Sequence, residues 1–173
     1  MLPERPDDSV PTIPEIVHPK GNDDYLAVIS RAVFQTGLSW KQIAQHWGAY
    51  LRAFRNFDCA AVAAFGDLEI ERVLMEPGVL RSPRKVAATV KNARAILDLD
   101  RQHGGFAAYL RSFPDYRSLA KDLKKRFVFM GEMNAWYFLF RVGESVPEFK
   151  TWVTTVPGDH PRMAEMVEKT RGQ

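Results

Sequence analysis

The stretch Gln35-Thr36-Gly37-Leu38-Ser39-Trp40 closes one predicted helix and opens the next within a few residues. Gly37 supplies the backbone freedom that a sharp turn requires. Ser39 and Gln42 have the spacing of a capping box for a helix that begins at Trp40. The sequence therefore predicts a tight corner between two helices, with Leu38 at its tip and a large aromatic ring just behind it. A wedge and a flat ring are what a protein needs to lift a nucleotide base out of its stack and hold it.

Apolar residues recur at helical spacing along most of the chain, and convincing strand alternation is scarce. We expect Asp23-Asp24 to cap the first helix and Asp58 to cap a short alanine-rich one. The best-defined helix has Ser82 as its N-cap, Pro83 in its first turn and Gly104 beyond its end. The predicted fold class is all-α.

Length and composition favour one soluble globular domain, because the 173 residues are 46% hydrophobic and 26% charged. We expect a proline-rich leader over residues 1–22 and a single helical domain over residues 23–173, acting as a monomer. Apolar runs stop well short of the ~20 residues that span a membrane. The single cysteine, Cys59, excludes an internal disulfide and fits a reducing cytoplasm.

A first basic cluster surrounds the start of the helix at Ser82. Arg81 precedes it, and Arg84 and Lys85 occupy its first turn, where the helix dipole is already positive. Cations there are unfavourable unless an anion lies beside them, so the pattern indicates a phosphate clamp. A solvated basic face is an equally good interpretation of this cluster.

A second basic cluster, Lys124-Lys125-Arg126, is followed by a short segment that ends in Gly131 and then by an apolar helix. A helix, a tight turn ending in glycine and a second helix form a helix-hairpin-helix, whose backbone amides donate to a DNA phosphate. From the residues alone, Phe127 to Met130 could equally be a short buried strand.

Candidate residues for a base pocket are aromatic. An enzyme that acts on a base must extrude it and stack it between aromatic or apolar side chains. Trp40, Phe34 and Trp136 are the candidates, although Phe34 and Trp136 could as well be core residues. Glycine-rich phosphate loops, nucleophile elbows and metal-binding histidine pairs are missing, so we expect neither a metal nor a cofactor.

Several blocks of the sequence, in this order, resemble the DNA-3-methyladenine glycosylase I family between about Asp24 and Gly143. The resemblance implies a helical DNA-repair enzyme of the helix-hairpin-helix superfamily, with double-stranded DNA as its partner, Trp40 as pocket residue and Leu38 as plug. The matching blocks are Gln35 to Trp40, Phe57-Asp58, Val62-Ala63-Ala64, Gly78-Val79-Leu80-Arg81, Arg84-Lys85-Val86, Asn92-Ala93-Arg94-Ala95 and Phe127-Val128-Phe129-Met130-Gly131.

The chain departs from the family in its carboxylate, its metal ligands and its hairpin. Ala32 matches the position of the family's pocket glutamate, so Glu132 and Glu148 are considered as substitutes, although each could be a surface or capping residue. The family's zinc is held by two cysteines and two histidines, and with a single cysteine we expect no such zinc. The hairpin lacks its first glycine, because Arg126 runs straight into Phe127.

The predicted function is that of a monofunctional DNA glycosylase, which hydrolyses the N-glycosidic bond of an alkylated, 3-methyladenine-like base and has no lyase activity. The alternative is a non-catalytic helix-hairpin-helix protein that recognises damaged or structured DNA, which Ala32 favours. A protein-interaction domain with no role on DNA is a third possibility, disfavoured by the two basic clusters.

Overall fold

The computed structural model describes residues 16–36, 38–158, 160, 164, 167 and 168. Over these residues it contains nine α-helices, two short 3₁₀ helices and no β-strand, which confirms the all-α prediction. The elements are α1 (Asn22–Gln35), α2 (Trp40–Ala53), a 3₁₀ turn (Arg55–Phe57), α3 (Cys59–Ala63), α4 (Asp67–Met75), α5 (Pro83–His103), α6 (Phe106–Leu110), α7 (Tyr116–Arg126), α8 (Glu132–Arg141), α9 (Phe149–Trp152) and a 3₁₀ turn (Val153–Thr155). Most of the expected leader, residues 1–15, lies outside the described residues, so the domain boundaries stay a prediction.

The corner between α1 and α2 has the predicted capping box. The Ser39 hydroxyl accepts from the Gln42 amide at 3.1 Å, and the Gln42 side chain accepts from the Ser39 amide at 2.8 Å. The Leu38 amide donates to the Gln35 carbonyl at 2.8 Å, which closes the turn. Leu38 is half-buried. Gly37 lies outside the described residues, so its part in the turn and in DNA binding stays a prediction.

The predicted cap of α1 is wrong. The helix starts at Asn22, with Gly21 in the N-cap position and no side-chain cap. Asp24 instead accepts from the backbone amide of Lys20 at 2.8 Å, and Asp23 accepts from the amide of Cys59 at 2.8 Å. The Asp23 carboxylate therefore binds the start of α3, a distant segment, and does not cap α1.

Helix α5 is the longest helix, and it crosses the main core. Its predicted ends are confirmed: the Ser82 hydroxyl accepts from the Lys85 amide at 3.3 Å, and Gly104 is left-handed with φ of +70°. Its apolar side packs against α1, α3, α4 and α6. Val86, Ala93 and Ile96 on that side are fully buried. This long rigid element therefore spans from the core to the corner and carries the first basic cluster at its start.

A smaller group of buried residues lies apart from the main core and brings the end of α1 and the start of α2 against α8 and α9. We call it the aromatic cluster. Its buried members are Ala32, Trp40, Trp136, Tyr137, Phe149 and Val167.

The described helices include none that is both long and apolar enough to cross a bilayer.

Replacing Ser39 by alanine removes the side-chain acceptor of the Gln42 amide at the start of α2. We expect the Ser39→Ala variant to lose about 1 kcal/mol of unfolding free energy. Urea denaturation followed by circular dichroism measures this loss. The matched control is Ser145→Ala, because Ser145 is exposed and lies outside any helix. Equal stability of the two variants would show that the capping box contributes nothing.

Candidate nucleic-acid interface

A lysine ties the corner to the start of α5. The Lys85 ammonium donates to the Thr36 carbonyl at 2.9 Å. Burial lowers the pKa of Lys85 below its ordinary value. Lys85 was predicted as part of a phosphate clamp, but in the structure its charged group is used to hold the turn.

The same helix also holds the turn between α7 and α8. The Asn92 side chain accepts from the Val128 amide at 2.8 Å and donates to the Val128 carbonyl at 3.2 Å. The Arg84 guanidinium lies 5.8 Å from the centre of the Phe129 ring, a cation–π distance. The corner, the start of α5 and the turn before α8 therefore lie side by side.

Residues 127–131 form a turn between two helices, so the alternative of a buried strand is wrong. Phe129 adopts φ of +58°, the left-handed conformation that glycine would take without strain. The Asn134 side chain donates to the Phe129 carbonyl at 2.8 Å and fixes this conformation. Gly131 is exposed, and a β-carbon added there would have no neighbour within 4 Å. Nothing in the protein itself thus crowds the backbone at the end of the turn.

The remaining predicted DNA-binding side chains are exposed. Arg81 and Arg84 lie at the start of α5, and Lys124 and Lys125 lie in the last turn of α7. Arg126 is exposed as well, but its guanidinium donates to the Asp122 carboxylate at 2.8 Å. The surface around the turn therefore carries several cations on both of its sides.

The two residues that match the family's pocket are both buried. Trp40 is 6% exposed and Ala32 is 3% exposed. The Trp40 ring lies 5.4 Å from the ring of Tyr137, which is itself fully buried. The Arg141 guanidinium lies 5.7 Å from the centre of that Tyr137 ring. A base stacked on Trp40 would have to displace part of this packing and would lie near a positive charge.

The other two predicted pocket residues lie in different buried clusters. The assignment of Phe34 to the pocket is corrected: it is fully buried in the main core, 4.7 Å from the ring of Tyr50. Trp136 belongs to the aromatic cluster, where it stacks on Phe140 and Trp152. Its indole N–H donates to the Pro147 carbonyl at 3.1 Å, so its polar atom is used inside the protein.

The two candidate carboxylates, Glu148 and Glu132, have different surroundings. Glu148 is the N-cap of α9, where it accepts from the amides of Lys150 and Thr151 at 3.0 and 2.8 Å. Glu148 therefore has the capping role considered as its alternative, and its catalytic assignment stays a prediction. Glu132 is exposed in the first turn of α8, directly after Gly131, and lines a cleft of about 900 Å³.

Sequence reasoning missed several residues of this region. Asn92 had a signal, since it is a polar residue buried among the apolar positions of α5. Tyr116 and Trp152, which line the cleft with Glu132, had none, because they come from distant segments of the chain.

The chain's cysteine does not fit a structural zinc. Cys59 lies in the main core, and its thiol donates to the Ala93 carbonyl at 3.4 Å. Burial and the nearby carboxylates raise the pKa of this thiol to about 12, which disfavours the thiolate that zinc binds. Within the described part of the chain, no three His, Cys, Asp or Glu side chains are grouped as metal ligands would be.

A sequence model of the methyladenine glycosylase family matches residues 18–135. The chain belongs to this family. A DNA-3-methyladenine glycosylase of Haemophilus influenzae is 33% identical over 130 residues, which cover 63% of the chain and 70% of that protein. DNA-3-methyladenine glycosylase 1 of Escherichia coli is 28% identical over 148 residues, covering 73% of the chain and 79% of that protein.

Solved structures agree with the sequence comparison. A crystal structure of a 3-methyladenine DNA glycosylase I is 27% identical, with a TM-score of 0.63 over 79% of this chain and 84% of that one. Membership of the methyladenine glycosylase family identifies the chain as a DNA base-excision repair glycosylase. The comparisons do not favour the non-catalytic alternative.

Loss of the Asn92 amide would leave the amide and carbonyl of Val128 without their partners. We expect the Asn92→Leu variant to lose about 2 kcal/mol of unfolding free energy, because each of the two lost hydrogen bonds contributes about 1 kcal/mol. We also expect the Val128 amide to exchange its hydrogen faster, whereas the Phe127 amide, bonded to the Leu123 carbonyl, keeps its protection.

Urea denaturation and hydrogen exchange followed by NMR measure the two effects. Gln102→Leu, at an exposed position of the same helix, is the matched control. Unchanged exchange at Val128 in the Asn92 variant would contradict this account of the turn.

Proposed function

We propose that the protein excises a cationic, 3-methyladenine-like base from double-stranded DNA, using one surface made of the corner, the start of α5 and the turn before α8. The observation that carries this proposal is the pair of contacts from α5: Lys85 to the Thr36 carbonyl and Asn92 to Val128. These contacts set a wedge, a helix N-terminus and a hairpin side by side, which is the arrangement needed to bind and distort a duplex.

Each part of this surface has a role in the proposal. The exposed backbone at Gly131 approaches a phosphate, and Lys124 and Lys125 add charge beside it. Arg81 and Arg84 bind a neighbouring phosphate at the positive end of α5. Leu38 enters the duplex and fills the gap left by the extruded nucleotide.

The chemistry suits a cationic leaving group. Alkylation at a ring nitrogen places a positive charge on the base, so the base leaves as a neutral molecule when the glycosidic bond breaks. A water molecule then completes hydrolysis at the sugar. The protein must supply an aromatic surface that attracts the cation and a shielded site.

Strand cleavage is not part of the proposed activity. A lyase needs an amine nucleophile at the sugar. Among the described residues, burial lowers the pKa of one lysine, Lys85, and its nitrogen is bonded to the Thr36 carbonyl. We further propose that the enzyme acts as a monomer in the cytoplasm, which fits a chain with one buried cysteine.

Base release from methylated duplex DNA tests the proposed function directly. We expect the wild type to release a free alkylated purine, identified by chromatography. The Leu38→Ala variant should release it at least tenfold more slowly from duplex DNA, with a smaller deficit on single-stranded DNA, because only the duplex needs the wedge.

Leu68→Ala is the matched control, since Leu68 is exposed on α4. Failure of the wild type to release any base would refute the proposal. If the Leu38 variant released base equally slowly from duplex and from single-stranded DNA, the proposed role of Leu38 as a wedge would be wrong.

The salt dependence of DNA binding tests the phosphate contacts. Each phosphate neutralised by a lysine contributes about 0.9 to the slope of log K against log salt concentration. We expect Lys124→Gln to reduce that slope by about one such unit. The control is Lys20→Gln, because Lys20 is exposed beside the opposite end of α1 from the corner. Fluorescence anisotropy on a labelled duplex gives the slopes, and identical slopes for the two variants would exclude Lys124 from the interface.

A further inference from the structure

A half-buried arginine lies beside the residues that match the family's pocket. Arg31 directly precedes Ala32 in α1. Its Nε is buried, and within the described part of the chain this nitrogen has no hydrogen-bond partner. None of the ion pairs among the described residues includes Arg31. A buried donor without an acceptor is costly to the fold, and a ligand that supplies the acceptor would explain it.

Contacts on two sides place the Arg31 guanidinium near the pocket tryptophan. The guanidinium lies 5.2 Å from the centre of the Trp47 ring, which follows Trp40 by about two turns of α2. Burial lowers the pKa of Arg31 below its ordinary value, interaction with Tyr137 partly opposes this effect, and the charge of Arg141 adds to it. The ring of the same Tyr137 lies 5.4 Å from Trp40. Arg31 therefore lies at the junction of α1, α2 and α8 where Trp40 packs.

Hydrogen-bond donors are concentrated at this junction. A guanidinium only donates, and Arg31 and Arg141 each bring one. Arg141 donates to the Tyr137 hydroxyl at 3.3 Å. Burial raises the pKa of Tyr137, so this hydroxyl keeps its own proton. Position 32, which carries an accepting carboxylate in the family, is alanine here. The chain thus offers donors where its relatives offer an acceptor.

The exchange of an acceptor for donors changes which base fits. A carboxylate accepts from the exocyclic amine of an adenine. A guanidinium instead pairs with the C6 oxygen and N7 of a guanine through two parallel N–H bonds. Adenine presents an amine at C6, so a donor there would face a donor. The favoured base therefore has a carbonyl oxygen at C6.

We infer that Arg31 determines the specificity of the pocket, which takes an alkylated guanine in preference to an alkylated adenine. This inference rests on the proposed function, because it requires a cationic alkylated purine to be extruded and stacked at Trp40. Arg31 then donates to the C6 oxygen and N7 of that base. 3-Methylguanine represents the class: it has the methyl position and the positive charge of 3-methyladenine, but carries an oxygen at C6 and an amine at C2.

The charge of Arg31 is compatible with this reaction. An alkylated guanine is cationic only while it is attached to the sugar. The electron pair of the glycosidic bond leaves with the base, a water oxygen bonds to the sugar carbon, and one water proton passes to solvent. Repulsion between Arg31 and the base therefore falls as the bond breaks. Such a contact weakens binding of the substrate more than binding of the transition state.

Release of bases from methylated duplex DNA compares the two classes in one reaction, because chromatography separates free 3-methylguanine from free 3-methyladenine. We expect the wild type to release 3-methylguanine about tenfold faster, relative to the amount of each base in the DNA. Arg31→Lys keeps the charge but not the parallel donors, so the ratio of the two rates should fall close to one. Arg72→Lys, an exposed change on α4, is the control and should keep the wild-type ratio.

Titration with the free bases tests binding without any need for turnover. We expect the Nε–H signal of Arg31 to shift in two-dimensional NMR spectra with 3-methylguanine and to stay in place with 3-methyladenine. The spectrum of Arg31→Lys, which lacks this signal, assigns it. Equal shifts with the two bases, or no shift with either, would overturn the inference.

The rates separate failure of the inference from failure of the proposed function. If the wild type releases 3-methyladenine as fast as 3-methylguanine or faster, the inference is wrong and the proposed glycosylase stands. The same holds if Arg31→Lys, shown to be folded by circular dichroism, keeps the wild-type ratio. If the wild type releases no base at all, the proposed function is wrong, and the titration still decides whether Arg31 binds a purine with an oxygen at C6.

Discussion

Helix α5 determines the geometry of the proposed DNA-binding surface, because its polar side chains contact both the corner and the turn before α8. Lys85 donates to the Thr36 carbonyl across 49 positions of sequence, and Asn92 bonds both backbone groups of Val128 across 36. The apolar side of the same helix is anchored in the main core. A displacement of α5 would therefore move the corner and the turn together, which keeps the proposed wedge and the proposed phosphate site at a fixed distance from each other.

The turn before α8 has a left-handed residue, Phe129, at a position where glycine would be free of strain. Phe129 adopts the left-handed conformation at a cost of about 1 kcal/mol or more. Three side chains offset this strain: Asn92 and Asn134 through hydrogen bonds to the turn, and Arg84 through its guanidinium near the Phe129 ring. Contacts from side chains around the turn thus stabilise a backbone conformation that glycine would adopt without strain.

Local features of the fold were predictable from the sequence, and contacts between distant segments were not. The capping box at Ser39 and the ends of α5 follow from residues a few positions apart, and the structure has them where they were predicted. Asp23 looked like a cap and instead holds Cys59, 36 positions away. Phe34 and Trp40 have the same aromatic character, yet one lies in the main core and the other in the aromatic cluster. The cleft combines side chains from α7, α8 and α9, so no spacing within one segment could reveal it.

The free-energy cost of a carboxylate differs between position 32 and position 132. At position 32 the side chain is 3% exposed, so an ionised carboxylate there would need partners to repay its lost hydration. Glu132 is exposed, and it lies in the first turn of α8, where the helix dipole favours a negative charge. The Glu132 side chain lines the cleft together with Tyr116 and Trp152. Alanine at position 32 needs no such partners, so it packs among the apolar members of the aromatic cluster.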